Sequence, residues 1–294
     1  SLARLVFPSL RSRPASGGFA HERAKIDTGL AAGVGGFILF GGDRESVTTL
    51  TAELRAAAGR PLLIGADLER GPRQQVDGLT ELPPPAALGW LGDLETTNTA
   101  GVITGMDARS VGINWAFAPV CDLDNEAKNP IVQTRSFGAD PEIVGEHAAA
   151  WIRGCQEHGV LACAKHYPGH GRTTLDSHAT LPRVMTIQPE LERTDLVPFA
   201  SAVRAGVGSM ISAFVAYPGW DPSGRAAGFS AGCPSGTSAT TRTDSGIPRI
   251  FFTSGSENAH TQHVPSPSST ACSVMWSTAM LTSTGQESCP QLMT

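Results

Sequence analysis

The sequence predicts an α/β fold, a TIM-type (β/α)8 barrel that falls short at its C-terminal end, on three observations. Short runs such as residues 36–40 and 160–164 are apolar throughout rather than alternating, as strands buried on both faces of a parallel sheet are. Helical patterns separate these runs, which is the spacing of βα units. Polar residues recur where the runs end, at Asp67, at Asp122, and at Lys165 with His166, and that edge is where a barrel gathers its site. A doubly wound sheet would build its site on the same edge, so the barrel is a preference between two architectures. No GxGxxG opens a helix, so nothing points to a dinucleotide.

Taken in order, Leu5, Val6 and Phe7 suggest a short first strand and residues 36–40 a second. Ser46 stands where a cap is needed for a helix whose Val47, Leu50, Leu54 and Ala58 share one face and which stops at Gly59. Residues 61–67 form the next expected strand, with Leu62, Leu63 and Ile64 buried and Asp67 at its end. A helix around 97–111 leads into a strand over 114–121, closed by Asp122 and Asp124. Asp140 and Pro141 open a helix with Val144, Ala148, Trp151, Ile152 and Cys155 on one stripe and Gly159 as its stop. A strand over 160–164 precedes a polar loop, a helix over 195–205 and a sixth strand over 210–215.

After about residue 230 the pattern changes. Residues 231–294 are rich in Ser and Thr, contain no Lys, and have only Leu281 and Leu292 as leucines. Neither a 3.6-residue nor a 2-residue apolar period is sustained there, and Ile250, Phe251 and Phe252 make the one convincing strand. The expected division is a barrel domain over 1–230 and an atypical tail over 231–294, either naturally disordered or shifted in reading frame. By this count the barrel lacks about two βα units.

Bulk properties exclude several classes. Net charge is −5 and no basic block runs along the chain, so a nucleic-acid partner is not expected. No apolar run approaches the roughly 20 residues that span a bilayer. The first residues do not read as a signal peptide, because Leu5, Val6, Phe7 and Leu10 are interrupted by Arg, Pro and Ser. The chain starts at Ser1 without Met, so an upstream piece is expected to be missing. Six cysteines (Cys121, Cys155, Cys163, Cys233, Cys272, Cys289) form no CxxC pair. They are expected to be free thiols, with Cys121 and Cys163 as small buried hydrophobes, in a reduced cytoplasmic setting.

The densest polar constellation is Lys165-His166-Tyr167-Pro168-Gly169-His170-Gly171, followed by Asp176-Ser177-His178 and Leu181-Pro182. It opens at a strand end and continues through a loop. Three readings are open. One is a polar surface loop with satisfied histidines. A second is a metal site using His166, His170, Asp176 and His178, although the His pair lacks helical spacing and Lys165 would repel a cation. The third is acid/base chemistry, in which Asp176 orients the imidazole of His178 and stabilises its charged form while Lys165 and His166 donate to substrate hydroxyls.

This constellation resembles the signature of glycoside hydrolase family 3, in the branch of bacterial β-N-acetylglucosaminidases. Other segments resemble that family in the same order: Gly35-Gly36-Phe37-Ile38-Leu39-Phe40-Gly41, Asp67-Leu68-Glu69, Phe117-Ala118-Pro119-Val120-Cys121-Asp122, Arg135-Ser136-Phe137-Gly138 and Ala216-Tyr217-Pro218. The resemblance covers about residues 3 to 230. It implies a TIM barrel, no metal or organic cofactor, and release of terminal N-acetylglucosamine from cell-wall fragments with retention. It places the general acid/base on His178 with Asp176 beside it, and sugar binding on Asp67, Arg135, Lys165 and His166. Chemically, Asp67 accepts from sugar hydroxyls while Arg135, Lys165 and His166 donate.

Three departures stand out. Arg73 keeps one basic position after Asp67-Leu68-Glu69, but Gln75 stands where the family has a sugar-binding Arg. Phe214 occupies a common His position. The family's nucleophile is an Asp at a late strand end, where this chain has Ser254; Asp244 is the one Asp after Asp221 and the remaining candidate. A retaining glycosidase without its nucleophile forms no glycosyl-enzyme intermediate, so the expectation is little or no turnover. The rival readings are a sugar-binding relic of the same fold and a metal-dependent hydrolase built on the histidines.

Overall fold

The computed structural model describes residues 2–13, 17–230 and 250–253. Its sheet is built from β1 (Ser9–Arg11), β2 (Gly36–Phe40), β3 (Leu63–Ala66), β4 (Trp115–Ala116), β5 (Leu161–Tyr167), β6 (Ser209–Ser212) and β7 (Ile250–Thr253). Every strand is parallel to the next, and the spatial order follows the chain from β1 to β7. A doubly wound sheet reverses direction at a switch point. This order never reverses, so each crossover advances the same way round, as in a barrel. Among the described residues no strand pairs β7 back to β1.

The crossovers are α1 (Arg23–Ala32), α2 (Arg44–Ala58), α3 (Pro85–Leu91), α4 (Leu94–Ser110), α5 (Pro141–Gln156), α6 (Gln188–Arg193) and α7 (Leu196–Arg204). Asp43 caps α2 by accepting from the Ser46 amide at 2.8 Å, and the Ser46 hydroxyl returns the contact to the Asp43 amide at 3.1 Å. Ser46 is therefore the third residue of a capping box, not the cap. Asp140 accepts from the Glu142 and Ile143 amides and caps α5, with Pro141 at its first position. The buried stripe of α5 contains Val144, Ala148, Trp151, Ile152 and Cys155, the residues their spacing put there.

Strand alternation divides the core in two. Phe37, Leu39, Ile64, Ala66, Ala116, Ala162 and Ala164 face the helices in the main cluster. Ile38, Leu63, Trp115, Phe117, Leu161, Cys163 and Ile211 face the other way and fill the barrel with Phe7. The Trp115 ring packs edge-on against Phe7 at 5.3 Å and Phe117 at 4.6 Å. A Cβ on Gly65 would sit 2.6 Å from the Phe117 ring, so glycine makes room for that plug. Its indole N–H, which would otherwise be buried unpaired, donates to Ser209 Oγ at 2.8 Å.

Several expected boundaries move. Leu5, Val6 and Phe7 are not a strand: a 3-10 turn runs over Leu2–Leu5, and β1 follows at Ser9–Arg11. The apolar triad misled because only Leu10 of β1 is buried. The strand expected over 114–121 is ordered as ladder only at Trp115–Ala116. Pro119 has no N–H to give, and pairing resumes at a single bridge between Val120 and Lys165. The helix expected from Thr97 begins at Leu94, where Asp93 caps it, and β5 runs on to Tyr167. The sixth strand ends at Ser212, short of Val215, and α5 ends at Gln156, ahead of Gly159.

Candidate active site

The same alternation that buries Leu63 and Gly65 inside the barrel carries Asp67 to the inner face just past β3. On β5, Leu161 and Cys163 point inward, and Lys165 follows them at the mouth. The two meet: Lys165 Nζ lies 2.7 Å from Asp67 Oδ1. Two residues beyond Asp67, Glu69 brings a second carboxylate to the same ammonium at 2.6 Å. Arg135 closes on Glu69 from the far side with two parallel bonds, Nε to Oε2 and Nη2 to Oε1, both 2.8 Å. Its third contact is Nη1 to the Ile131 carbonyl at 3.1 Å.

These groups are charged despite their burial. Desolvation works against the Glu69 carboxylate, but Lys165 and Arg135 outweigh it and hold the carboxyl far below its ordinary range. Burial likewise opposes the Lys165 ammonium, and Asp67 with Glu69 overcomes this and raises its pKa. Three of the five Arg135 donors and two of the three Lys165 donors are used internally, which leaves donors for an incoming oxygen. Asp67 and Arg135 are the part-exposed members of the group, their side chains 30% and 29% accessible, so the Asp67 carboxylate can accept from hydroxyls.

Asp122, past β4 and just beyond the bridge between Val120 and Lys165, organises the next residues of the loop. Its fully buried carboxylate accepts from the His166 amide at 3.1 Å, from His166 Nδ1 at 2.6 Å and from the His170 amide at 2.7 Å. Burial lowers the His166 pKa against the pull of Asp122. A neutral ring whose Nδ1 proton faces Asp122 presents Nε2 as an acceptor. Nε2 is the ring nitrogen left to meet a sugar oxygen. Asn129 ties down the next stretch by donating to the His170 and Gly171 carbonyls at 2.8 and 3.1 Å.

His178 and Asp176 sit farther out. Asp176 Oδ1 meets both the His178 amide and Nδ1 at 2.8 Å, an orientation that leaves Nε2 outward. The bonds to His178 hold the Asp176 carboxyl below its ordinary value. The His178 side chain is 81% exposed, so the pair lies on the rim. Arg172 braces the start of this loop, reaching Asp195 at 2.8 Å and Glu190 at 3.0 Å.

Of the residues singled out from sequence, the structure joins Asp67, Arg135 and Lys165 in one ionic network with His166 next to Lys165 in the chain, and pairs His178 with Asp176. Arg73 is surface-exposed and its ion partner is Glu81 at 3.7 Å, not a member of the network. Gln75 accepts from the Gly41 amide at 3.0 Å, a contact that braces two loops. Asp244 lies outside the described residues. Sequence reasoning did not assign Glu69 or Asn129 a role. For Glu69 the signal existed, since a second carboxylate stands two residues past Asp67 at the same strand end; Asn129 offered none. Each imidazole has a different partner, His166 on Asp122, His170 on Ser177 and His178 on Asp176. Among the described residues no group of three or more His, Cys, Asp or Glu is arranged to hold a metal ion.

The fold and this site define a barrel protein with a charged, polar mouth at the strand ends. A model of the glycosyl hydrolase family 3 N terminal domain matches residues 13–233, and the chain belongs to that family. It is similar to a Beta-hexosaminidase of Chromobacterium violaceum, 40% identical over 219 residues that cover 71% of this chain and 60% of that protein. A β-N-acetylglucosaminidase of family 3 from Paenibacillus sp. str. FPU-7 superimposes with a TM-score of 0.74 at 32% identity, covering 86% of this chain and 48% of that one. NagZ from Neisseria gonorrhoeae, in complex with N-trifluoroacetyl-D-glucosamine, does so at 0.70 and 32%, covering 84% of this chain and 73% of that one. The chain thus spans about 60% of the length of the Chromobacterium relative.

Proposed function

We propose that this chain forms the barrel of a β-N-acetylhexosaminidase-type glycoside hydrolase that acts, without metal or organic cofactor, on terminal β-linked N-acetylglucosamine of cell-wall-derived glycans in the cytoplasm. The observation that carries the reading is the charged network of Asp67, Glu69, Arg135 and Lys165 beside the His166–Asp122 pair, next to a loop bearing Asp176 and His178. Asp67 accepts from ring hydroxyls, Lys165 and Arg135 donate to oxygens, and His166 accepts. Arg73, on the rim, is the remaining basic candidate for the outer part of a glycan. His178 as imidazolium protonates the glycosidic oxygen, stands neutral while the glycosyl-enzyme persists, and then takes a proton from water; Asp176 stabilises the imidazolium before the first step and after the second.

Retention also needs a nucleophile. A barrel's catalytic positions follow their strands, and Ser254 is the residue that follows β7. Asp244 precedes that strand in sequence. This favours a second reading, a pocket that binds the sugar with little or no turnover. Incubation with a chromogenic β-N-acetylglucosaminide separates the two, alongside His178→Ala and Asp244→Ala. Turnover lost in both variants supports hydrolysis with Asp244 as nucleophile. Sugar binding without turnover supports the second reading. Neither binding nor turnover refutes both.

A further inference from the structure

His170 has no part in the chemistry above, yet it is buried and held at its amide, its carbonyl and its ring. Its amide is held by Asp122 at 2.7 Å and its carbonyl by Asn129 at 2.8 Å. On one side the Gly169 carbonyl accepts from the Tyr217 hydroxyl. On the other, a Cβ on Gly171 would lie 1.9 Å from the Leu123 carbonyl oxygen, so the backbone there is pressed against the segment that follows Asp122. The ring is 2% exposed and stands edge-on to His166 at 5.9 Å. From this anchored position Nε2 reaches Ser177 Oγ at 2.9 Å. Ser177 is the residue between Asp176 and His178.

The other ring nitrogen, Nδ1, is buried with no hydrogen-bond partner. A buried N–H without an acceptor is costlier and rarer than a buried lone pair without a donor. The proton therefore sits on Nε2, and His170 donates to the Ser177 hydroxyl. Asp122 then holds both ends of one device: through His166 it orients a sugar-binding ring, and through His170 it fixes the turn that carries the acid/base pair.

We infer that His170 is a positioning residue, which through its Nε2–Ser177 hydrogen bond holds the Asp176–His178 turn in register with the sugar site. This rests on the reading of His178 as the acid/base group, but its test does not need turnover. The full chain and the variants Ser177→Ala, His170→Leu and His170→Gln are compared by hydrogen–deuterium exchange. Losing one hydrogen bond of ordinary strength speeds exchange across residues 172–182 by about five- to tenfold in Ser177→Ala and His170→Leu. His170→Gln, which keeps a donor, restores much of the protection, and exchange in α5 stays unchanged in all three. If His170→Leu fails to fold, Ser177→Ala on the loop carries the test. Unchanged exchange in Ser177→Ala overturns the inference.

Where the chain turns over, a second readout separates positioning from general damage. Poor leaving groups depend on protonation by His178 and activated ones do not, so Ser177→Ala slows an alkyl N-acetylglucosaminide far more than a dinitrophenyl one. Equal slowing of both overturns the inference. A chain that turns over neither, yet loosens as described, fails the hydrolase reading while the positioning role stands.

Discussion

Replacing Glu69 by Gln tests whether the mouth is held together by charge. The carboxylate is 4% exposed and accepts from Lys165 at 2.6 Å and from Arg135 twice at 2.8 Å. A carboxamide of the same shape keeps one oxygen and turns an N–H2 toward donors. Lys165, which is buried, retains Asp67, but Arg135, half-buried, loses its two-pronged partner. Breaking one side of a buried ion pair costs about 3–5 kcal/mol. For a domain of this size that lowers the melting temperature by about 6–20 °C. Asp67→Asn costs much less, about 1 kcal/mol, because its side chain is partly solvated and Glu69 still faces Lys165.

The pH dependence has a definite sign. The folded pKa of Glu69 lies below its ordinary value of 4.5. Its contribution is thus fully present above that value and is lost as pH falls through the folded pKa. Thermal melts of parent and Glu69→Gln, followed by near-ultraviolet circular dichroism, should differ by a constant gap at neutral pH that narrows only under acid. A gap smaller than that of Asp67→Asn, or one that widens on acidification, would refute the reasoning.

Three further outcomes follow from the core. Burial pushes the Cys155 and Cys163 thiols up to about 12 and raises that of Cys121, so peptide mapping after labelling at mildly alkaline pH should find all three unmodified until denaturant is added. Gly171→Ala should cost about 3 kcal/mol or more, read as a lower urea midpoint with unchanged slope, because its Cβ would overlap the Leu123 carbonyl. Asp140→Ala, which strips the α5 cap of two amide bonds, should cost about 1 kcal/mol in the same titration.

Much of this was legible in the sequence because barrels write their layers plainly. The all-apolar runs at 36–40 and 160–164 had no polar face to show, and Asp140-Pro141 announced α5 by its own capping chemistry. Asp67, Lys165 and His166 were legible as strand-end residues. What stayed hidden depended on partners distant in sequence. The pairing of Glu69 with Arg135 spans 66 residues, and that of His166 with Asp122 spans 44. Neither leaves a periodic trace. β1 was missed because its neighbours Leu5, Val6 and Phe7 are more apolar than it is. The His166 tautomer followed only once Asp122 was seen against Nδ1. The divided reading of the His-rich loop was open for the same reason: composition lists ligand types, whereas geometry gives each imidazole a separate partner.

On the proposed function, the mouth formed by Asp67, Lys165 and His166 binds a sugar whatever the fate of the nucleophile. Calorimetric titration of N-acetylglucosamine into the full chain and into Asp67→Ala tests it most directly, with circular dichroism confirming that the variant is folded. Loss of a charged acceptor from the site should weaken binding by about tenfold or more. Equal affinity in the two proteins, or no binding by the parent, would contradict the claim.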